Sequence, residues 1–304
     1  MARPLWDALR PALRTEIERL AGGRVVDARS CAGGFSPGFA SRLTLADGGR
    51  VFVKAIDARR WPHEVAAYRA EARVNAALPN GAPAPRFRGA LDDERWIVLA
   101  FEDVDGVTPE PWTPDALGRV LAATADLGRP AVPLDRDHPR LGGWATLTAD
   151  RLAPHDPWAA ANLKRLTDLE RAGLDTACGD SLVHGDLYPH NILLTPDRVV
   201  VVDWPHARLG APVVDLVTVL SSAAADGLDP EAALRRRADS GAAGVPPGDV
   251  DAVLAAHAGF LVSGGLATMP PGLEPIAAAK RRLGAAAARW LRHRIDDGKS
   301  PITD

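Results

Sequence analysis

Cysteine is scarce in this chain of 304 residues: Cys31 and Cys178 are the only two, far apart and outside any metal-ligand spacing. A disulfide framework or a zinc site is therefore not expected, and a reducing, cytoplasmic location fits. The first twenty residues lack a continuous apolar stretch, being broken by Pro4, Asp7, Arg10, Pro11 and Arg14. Neither a signal peptide nor a membrane anchor is expected there. A strong charge of either sign is also missing. The formal net charge is -3, and the basic clusters at 235–237 and 280–282 are only three residues long, so neither nucleic acid nor a membrane surface is expected as a partner. Tyrosine and phenylalanine are few, the tryptophans are scattered, and no segment repeats. That excludes a solenoid. Serine-hydrolase chemistry is not expected, since neither a Gly-x-Ser-x-Gly elbow nor a suitably ordered triad is expected.

What is present is enough for a substantial core. Hydrophobic residues make up 46 % and charged residues 25 %, ordinary values for a globular enzyme. Alternating apolar residues predict strands at 25–30, 39–45 and 50–56, a three-stranded meander with a turn at Asp47-Gly48-Gly49. A helical period follows over 63–78 and stops at Pro79-Asn80-Gly81. Strands are expected again at 86–91 and 96–101. Beyond Asp105-Gly106 the chain becomes rich in Ala and Leu, with helices expected at 114–127, 158–172, 249–261 and 275–295. Two short β-rich runs, 181–184 and 199–202, interrupt that helical half. The expectation is an α+β bilobal chain: a small β-rich lobe at 1–101, a hinge at 102–106 and a larger, mostly helical lobe at 107–304. Such an order leaves a cleft, and clefts hold ligands.

The decisive segment is Leu182-Val183-His184-Gly185-Asp186-Leu187-Tyr188-Pro189-His190-Asn191-Ile192-Leu193-Leu194, followed by Val199-Val200-Val201-Val202-Asp203-Trp204. Phosphoryl transfer accounts for this spacing. Nucleotide phosphates need cations, cations need hard oxygen ligands, and an acceptor hydroxyl needs a carboxylate to take its proton. At average usage of about 5 % per residue, His-Gly-Asp-x-x-x-x-Asn has roughly a 0.002 chance of one random match in a chain this long.

The segment resembles the catalytic loop of the aminoglycoside phosphotransferase and choline kinase superfamily, which has a protein-kinase-like fold. The resemblance implies a phosphotransferase acting on an alcohol group, with Mg²⁺ and with ATP or GTP as donor. It makes Asp186 the catalytic base, supported by His184 as a structural member of the loop, and it makes Asn191 and Asp203 the metal ligands. Asp215, on an apolar segment, resembles the family's buried aspartate that braces the loop backbone.

Weaker features fall where that resemblance requires them. Gly33-Gly34-Phe35-Ser36-Pro37-Gly38 lies between two expected strands, where Gly34 permits close approach to phosphates and Ser36 donates to one. Lys54 follows on the third strand, matching the lysine that contacts the α- and β-phosphates. Glu64 and Glu71 both face it from the next helix, and Glu71 resembles the family's partner more closely. Ala100 to Glu102 are the expected adenine-side positions, through main-chain contacts. His155, Asp156 and His63 read as caps and surface residues, while Tyr188 and His190 are candidates for touching substrate.

Gly185 stands where protein kinases have arginine, Asp203-Trp204-Pro205 replaces Asp-Phe-Gly, and no Ala-Pro-Glu element follows. A small hydroxylated molecule is therefore the expected acceptor. Polycationic aminoglycosides would favour an acidic surface, but the C-terminal region mixes Asp226, Asp229, Glu231, Asp249 and Asp251 with Arg235, Arg236, Arg237, Lys280 and Arg281. The acceptor is expected to be another compound, either an antibiotic inactivated by O-phosphorylation or a nucleoside- or sugar-containing metabolite. A primary-metabolic kinase for choline, homoserine or a sugar, and a catalytically silent nucleotide-binding protein, are the alternatives.

Overall fold

A computed structural model describes residues 3–31, 36–239, 244–270 and 272–296. Along the chain run α1 (Pro11–Ala21), β1 (Val25–Ser30), β2 (Phe39–Leu45), β3 (Arg50–Asp57), α2 (Val65–Ala76), β4 (Phe87–Asp92) and β5 (Trp96–Glu102). Then follow α3 (Pro114–Ala123), α4 (Ala149–Leu152), α5 (Pro157–Ala161), α6 (Leu163–Thr176), β6 (Ser181–Val183), β7 (Ile192–Leu194), β8 (Val199–Val201) and β9 (Arg208–Gly210). The chain closes with α7 (Val213–Ala225), α8 (Pro230–Asp239), α9 (Pro247–Leu266) and α10 (Glu274–Asp296). It divides into two compact units, the first made of 1–107, 130–132 and 193–206 and the second of 108–129, 133–192 and 207–304.

The first unit is organised by an antiparallel sheet in the order β1-β2-β3-β5-β4. Successive side chains on a strand point to opposite faces, so Val51, Val53 and Ala55 of β3 join Leu13 and Ile17 of α1 in one core cluster. Ile56 points the other way, into a second cluster with Tyr68 of α2 and with Leu99 and Phe101 of β5. Each such aliphatic side chain taken fully out of water contributes about 1.5–3 kcal/mol before entropy is counted. Helix α1 is amphipathic, begins with proline at its first turn and ends at Gly22, whose φ of 88° lets its N–H reach the Glu18 carbonyl at 2.9 Å. Residues 193–206, expected in the C-terminal lobe, belong to this first unit. The Val201 N–H donates to the Pro83 carbonyl at 2.5 Å, and Leu194 exchanges backbone hydrogen bonds with Val107.

The second unit is built around α9, which is apolar all round and buried along most of its length. It is long and apolar enough by composition to cross a membrane, yet 67 % of its most apolar window is buried within the fold. Helices α6, α7 and α10 cover it. Close approach needs a missing side chain: a Cβ at Gly173 of α6 would lie 2.0 Å from the Ala252 carbonyl oxygen of α9. Arg294 of α10, 3 % exposed, is buried with Asp251 of α9 as its ion-pair partner, and a second carboxylate, Glu231 of α8, lies at 2.5 Å.

Four helical expectations differ in extent, one of them (249–261) because α9 runs on to Leu266. The helix expected over 63–78 begins as a short 3₁₀ turn, Pro62–Glu64, before α2. The one expected over 114–127 stops at Ala123, where the Thr124 hydroxyl donates back to the Val120 carbonyl at 2.9 Å. The one expected over 158–172 is two helices, parted at Asn162, whose amide donates to the Trp158 carbonyl at 2.9 Å.

Candidate active site

In the first unit, strand alternation turns Lys54 to the α2 side of β3, away from Val53 and Ala55. Its register partners are Ala40 on β2 and Leu99 on β5. Helix α2 presents Tyr68 and Glu71 on one face, three residues apart. Glu71, 3 % exposed, forms an ion pair with Lys54. Asp203 accepts a second bond from the Lys54 ammonium at 2.8 Å. The ammonium also lies 5.4 Å from the centre of the Tyr68 ring. Burial pulls the Lys54 ammonium down, but the Glu71 and Asp203 carboxylates outweigh it and hold it above the ordinary lysine value. Burial likewise pushes the Glu71 carboxyl up, against the pull of Lys54. Asp203 has φ 65°, a left-handed conformation that aspartate tolerates better than most residues.

In the second unit, β6 delivers His184, Gly185 and Asp186, and a 3₁₀ turn over Pro189–Asn191 closes the loop. Gly185 takes φ 73° at the bend. Asp215, in the first turn of α7, accepts from the His184 N–H at 2.6 Å and from the Gly185 N–H at 3.0 Å. Burial pushes the Asp215 carboxyl up, opposed by His184 and those two donors. His184 is fully buried and accepts at Nδ1 from the Asp186 N–H at 3.3 Å. The Asn191 amide donates to the Asp186 carbonyl at 2.9 Å and to its Oδ2 at 3.3 Å. Asn191 therefore turns its NH₂ into the loop and keeps its amide oxygen as the acceptor end. The remaining Asp186 oxygen, Oδ1, is 3.0 Å from the Arg140 guanidinium.

The structure thus groups the expected residues into two sets. Lys54, Glu71 and Asp203 form one, with Ser36 close by: its hydroxyl is 3.0 Å from that of Tyr68. Asp186, His184, Asn191 and Asp215 form the other. Of the two glutamates on the helix, Lys54 pairs with Glu71. Gly33, Gly34 and Phe35 lie outside the described residues. Against the expectation of no nucleophile elbow, Gly34-Phe35-Ser36-Pro37-Gly38 does carry its letters, but the Ser36 hydroxyl meets Tyr68 and the Gly38 N–H. Ala100 is laddered between Val53 and Gly89 inside the sheet, and Glu102 ends β5 with its carboxylate 2.5 Å from Arg198. Asp156 is a helix cap, accepting from the Ala159 N–H at 3.0 Å. Tyr188 stacks between His190 and His257, at 5.9 and 6.3 Å between ring centres. Arg140 is the site residue that sequence reasoning missed. It lies outside the regular elements, and its meeting with Asp186 is set by tertiary folding alone.

Each of the two sets contains one hard oxygen donor. Asp203 and the Asn191 amide oxygen are hard oxygen ligands of the kind Mg²⁺ takes. Residues 27–250 match the family model described as phosphotransferase enzyme family. The chain belongs to that family. No curated protein matches it. Among solved structures, a thermostable mutant of aminoglycoside phosphotransferase APH(4)-Ia with ADP and hygromycin B is 15 % identical with a TM-score of 0.58, covering 92 % of this chain and 98 % of that one. A proposed fructosamine-3-kinase from Thermobifida fusca is 22 % identical with a TM-score of 0.56, covering 91 % and 99 %. Spectinomycin phosphotransferase APH(9)-Ia with ADP and spectinomycin is 13 % identical with a TM-score of 0.55, covering 92 % and 98 %. At these identities the likeness is one of fold, and the family's fold is the protein-kinase-like one expected.

Proposed function

We propose that the chain is a cytoplasmic small-molecule kinase that uses Mg²⁺ and transfers the γ-phosphoryl group of ATP or GTP to a hydroxyl of a small compound. The observation that carries the reading is the buried Lys54–Glu71 pair with Asp203 on the same ammonium. A cation so fixed is suited to the α- and β-phosphates of a nucleotide. The ADP found with hygromycin B or spectinomycin in similar structures supports a nucleotide donor.

In this reading the first unit serves the nucleotide and the second serves the acceptor. Asp186 orients the acceptor hydroxyl. As the acceptor oxygen bonds to the γ-phosphorus, the bond from phosphorus to the β,γ-bridging oxygen breaks. The hydroxyl proton passes to Asp186, and the nucleoside diphosphate leaves with the bonding electrons. Asp215 and His184 hold the loop so that Asp186 does not have to be repositioned during the reaction. Asn191 and Asp203 are the proposed ligands of Mg²⁺, which when bound neutralises charge on the β- and γ-phosphates.

Mass spectrometry of reactions containing ATP or GTP and a panel of hydroxylated compounds tests this directly. The expected product gains one phosphoryl group, and a panel that never yields such a product in the presence of bound nucleotide counts against the proposal. Lys54→Met should raise the nucleotide KM about 10- to 100-fold, the equivalent of a charge-assisted contact worth about 1.5–3 kcal/mol. An unchanged KM would place the phosphates elsewhere.

A further inference from the structure

Charge around Asp186 is unbalanced. Arg140 already pairs with it at 3.0 Å, which satisfies the single negative charge. A second cation, Lys280 of α10, comes in over Phe260 of α9, the helix whose His257 stacks on Tyr188 of the Asp186 loop and whose Ala256 carbonyl accepts from the Gly142 N–H, two residues from Arg140, at 2.8 Å; the Arg140 and Asp186 charges both act on its ammonium. Lys280 is half-buried and is held in place. Its Nζ is 4.1 Å from the centre of the Phe260 ring of α9, and α9 makes room for it at Gly264, where a Cβ would come within 2.7 Å of Nζ. Among the described residues Lys280 has no carboxylate at ion-pair distance. Burial, and then the Arg140 charge, pull its ammonium below the ordinary lysine value, and Asp186 only partly restores it. A cation desolvated and fixed without a counter-ion is unfavourable in the free protein and gains most when a ligand brings the anion.

The surroundings point the same way. Tyr188, whose hydroxyl is pushed up by burial and by Asp186, stacks on His257. His257 is 3 % exposed, its Nε2 has no partner among the described residues, and burial holds the ring neutral with a pKa of about 4. Among the described residues, Asp186 is the acid whose charge acts on Lys280.

We propose that Arg140 and Lys280 form an anion-binding subsite beside Asp186, so that the acceptor hydroxyl belongs to a molecule that also carries a carboxylate or a phosphate. The inference rests on the kinase reading above. A guanidinium has five N–H donors in a planar fork and can serve Asp186 and a ligand oxyanion together. Lys280 supplies the second, point-like charge. A polycationic acceptor would bring like charges against both. Arg140 and Lys280 are thus specificity residues, acting on which hydroxylated molecule is held at the base.

The test uses matched acceptors: glycerol, glycerate and glycerol 3-phosphate; glucose, glucuronate and glucose 6-phosphate; glucosamine and hygromycin B as cations. Phosphoryl transfer is followed by product mass and by kcat/KM, and nucleotide binding is measured separately by calorimetry. The expected result is a preference of about tenfold or more for anionic members over their neutral analogues. The carboxylate and phosphate arms show which oxyanion is used. Lys280→Gln should remove that preference through KM with a much smaller change in kcat, and Lys280→Glu should turn it toward the cations. Nucleotide binding with transfer only to neutral or cationic members, or with transfer to none, overturns the subsite, as does a preference that survives both variants. Failure to bind nucleotide overturns the kinase reading itself and the inference with it.

Discussion

Replacing Asp186 by Asn is expected to lower kcat by about a thousandfold, roughly 4 kcal/mol in the barrier, with nucleotide affinity nearly unchanged. Asparagine has the same shape, so the Asn191 bond to the residue-186 carbonyl and the Asp215 bonds to the His184 and Gly185 N–H groups all survive. What disappears is the proposed acceptor for the hydroxyl proton. The Lys54–Glu71–Asp203 set belongs to the other unit and keeps its own partners. Calorimetric titration with nucleotide and a single-turnover assay separate the two quantities. Retention of more than a tenth of the rate would remove Asp186 from the role of base and leave the loop as scaffolding.

The largest effect on stability is expected at Asp251. Its side chain is fully buried against Arg294, which also meets Glu231 at 2.5 Å and donates to the Pro247 carbonyl at 3.2 Å. Asp251→Ala leaves a guanidinium that cannot lose its proton inside the packing of α8, α9 and α10, with only Glu231 to balance it. Breaking a buried pair from one side costs about 3–5 kcal/mol, a fall in Tm on the order of 10 °C for a unit of this size. The double variant Asp251→Leu with Arg294→Met removes both charges and should recover much of the loss. Thermal unfolding of the three proteins decides it. A single variant that melts within a degree of the parent would mean that water, not Asp251, solvates Arg294.

The strands were legible because their signals are local. β1 and β2 run over the residues expected, since alternation and the Asp47-Gly48-Gly49 turn fix both ends and the register. Helix α1 carried a readable proline at its start and glycine at its end, yet the polar residues in its first turns hid its period. Asn162 and Thr124 cut expected helices short through side-chain bonds to backbone that composition does not reveal. The segment around Asp186 announced itself by spacing. Glu64 and Glu71 are equivalent by helical period, and only the position of Lys54 across the sheet separates them. Arg140 and Lys280 had no local signature at all. One sits in irregular chain, the other mid-helix, and 139 residues of sequence lie between them.

Asp203 combines two demands in one residue: a backbone angle of φ 65° and a carboxylate on Lys54. Side chains that accept the left-handed angle at little strain are chiefly glycine, asparagine and aspartate, and only the last carries charge. Mutational drift at this position therefore runs downhill into neutral residues that keep the turn. In the proposed kinase, a descendant with one of those residues would keep the bend and lose the charge, so that outward form at this corner would be a poor witness to activity.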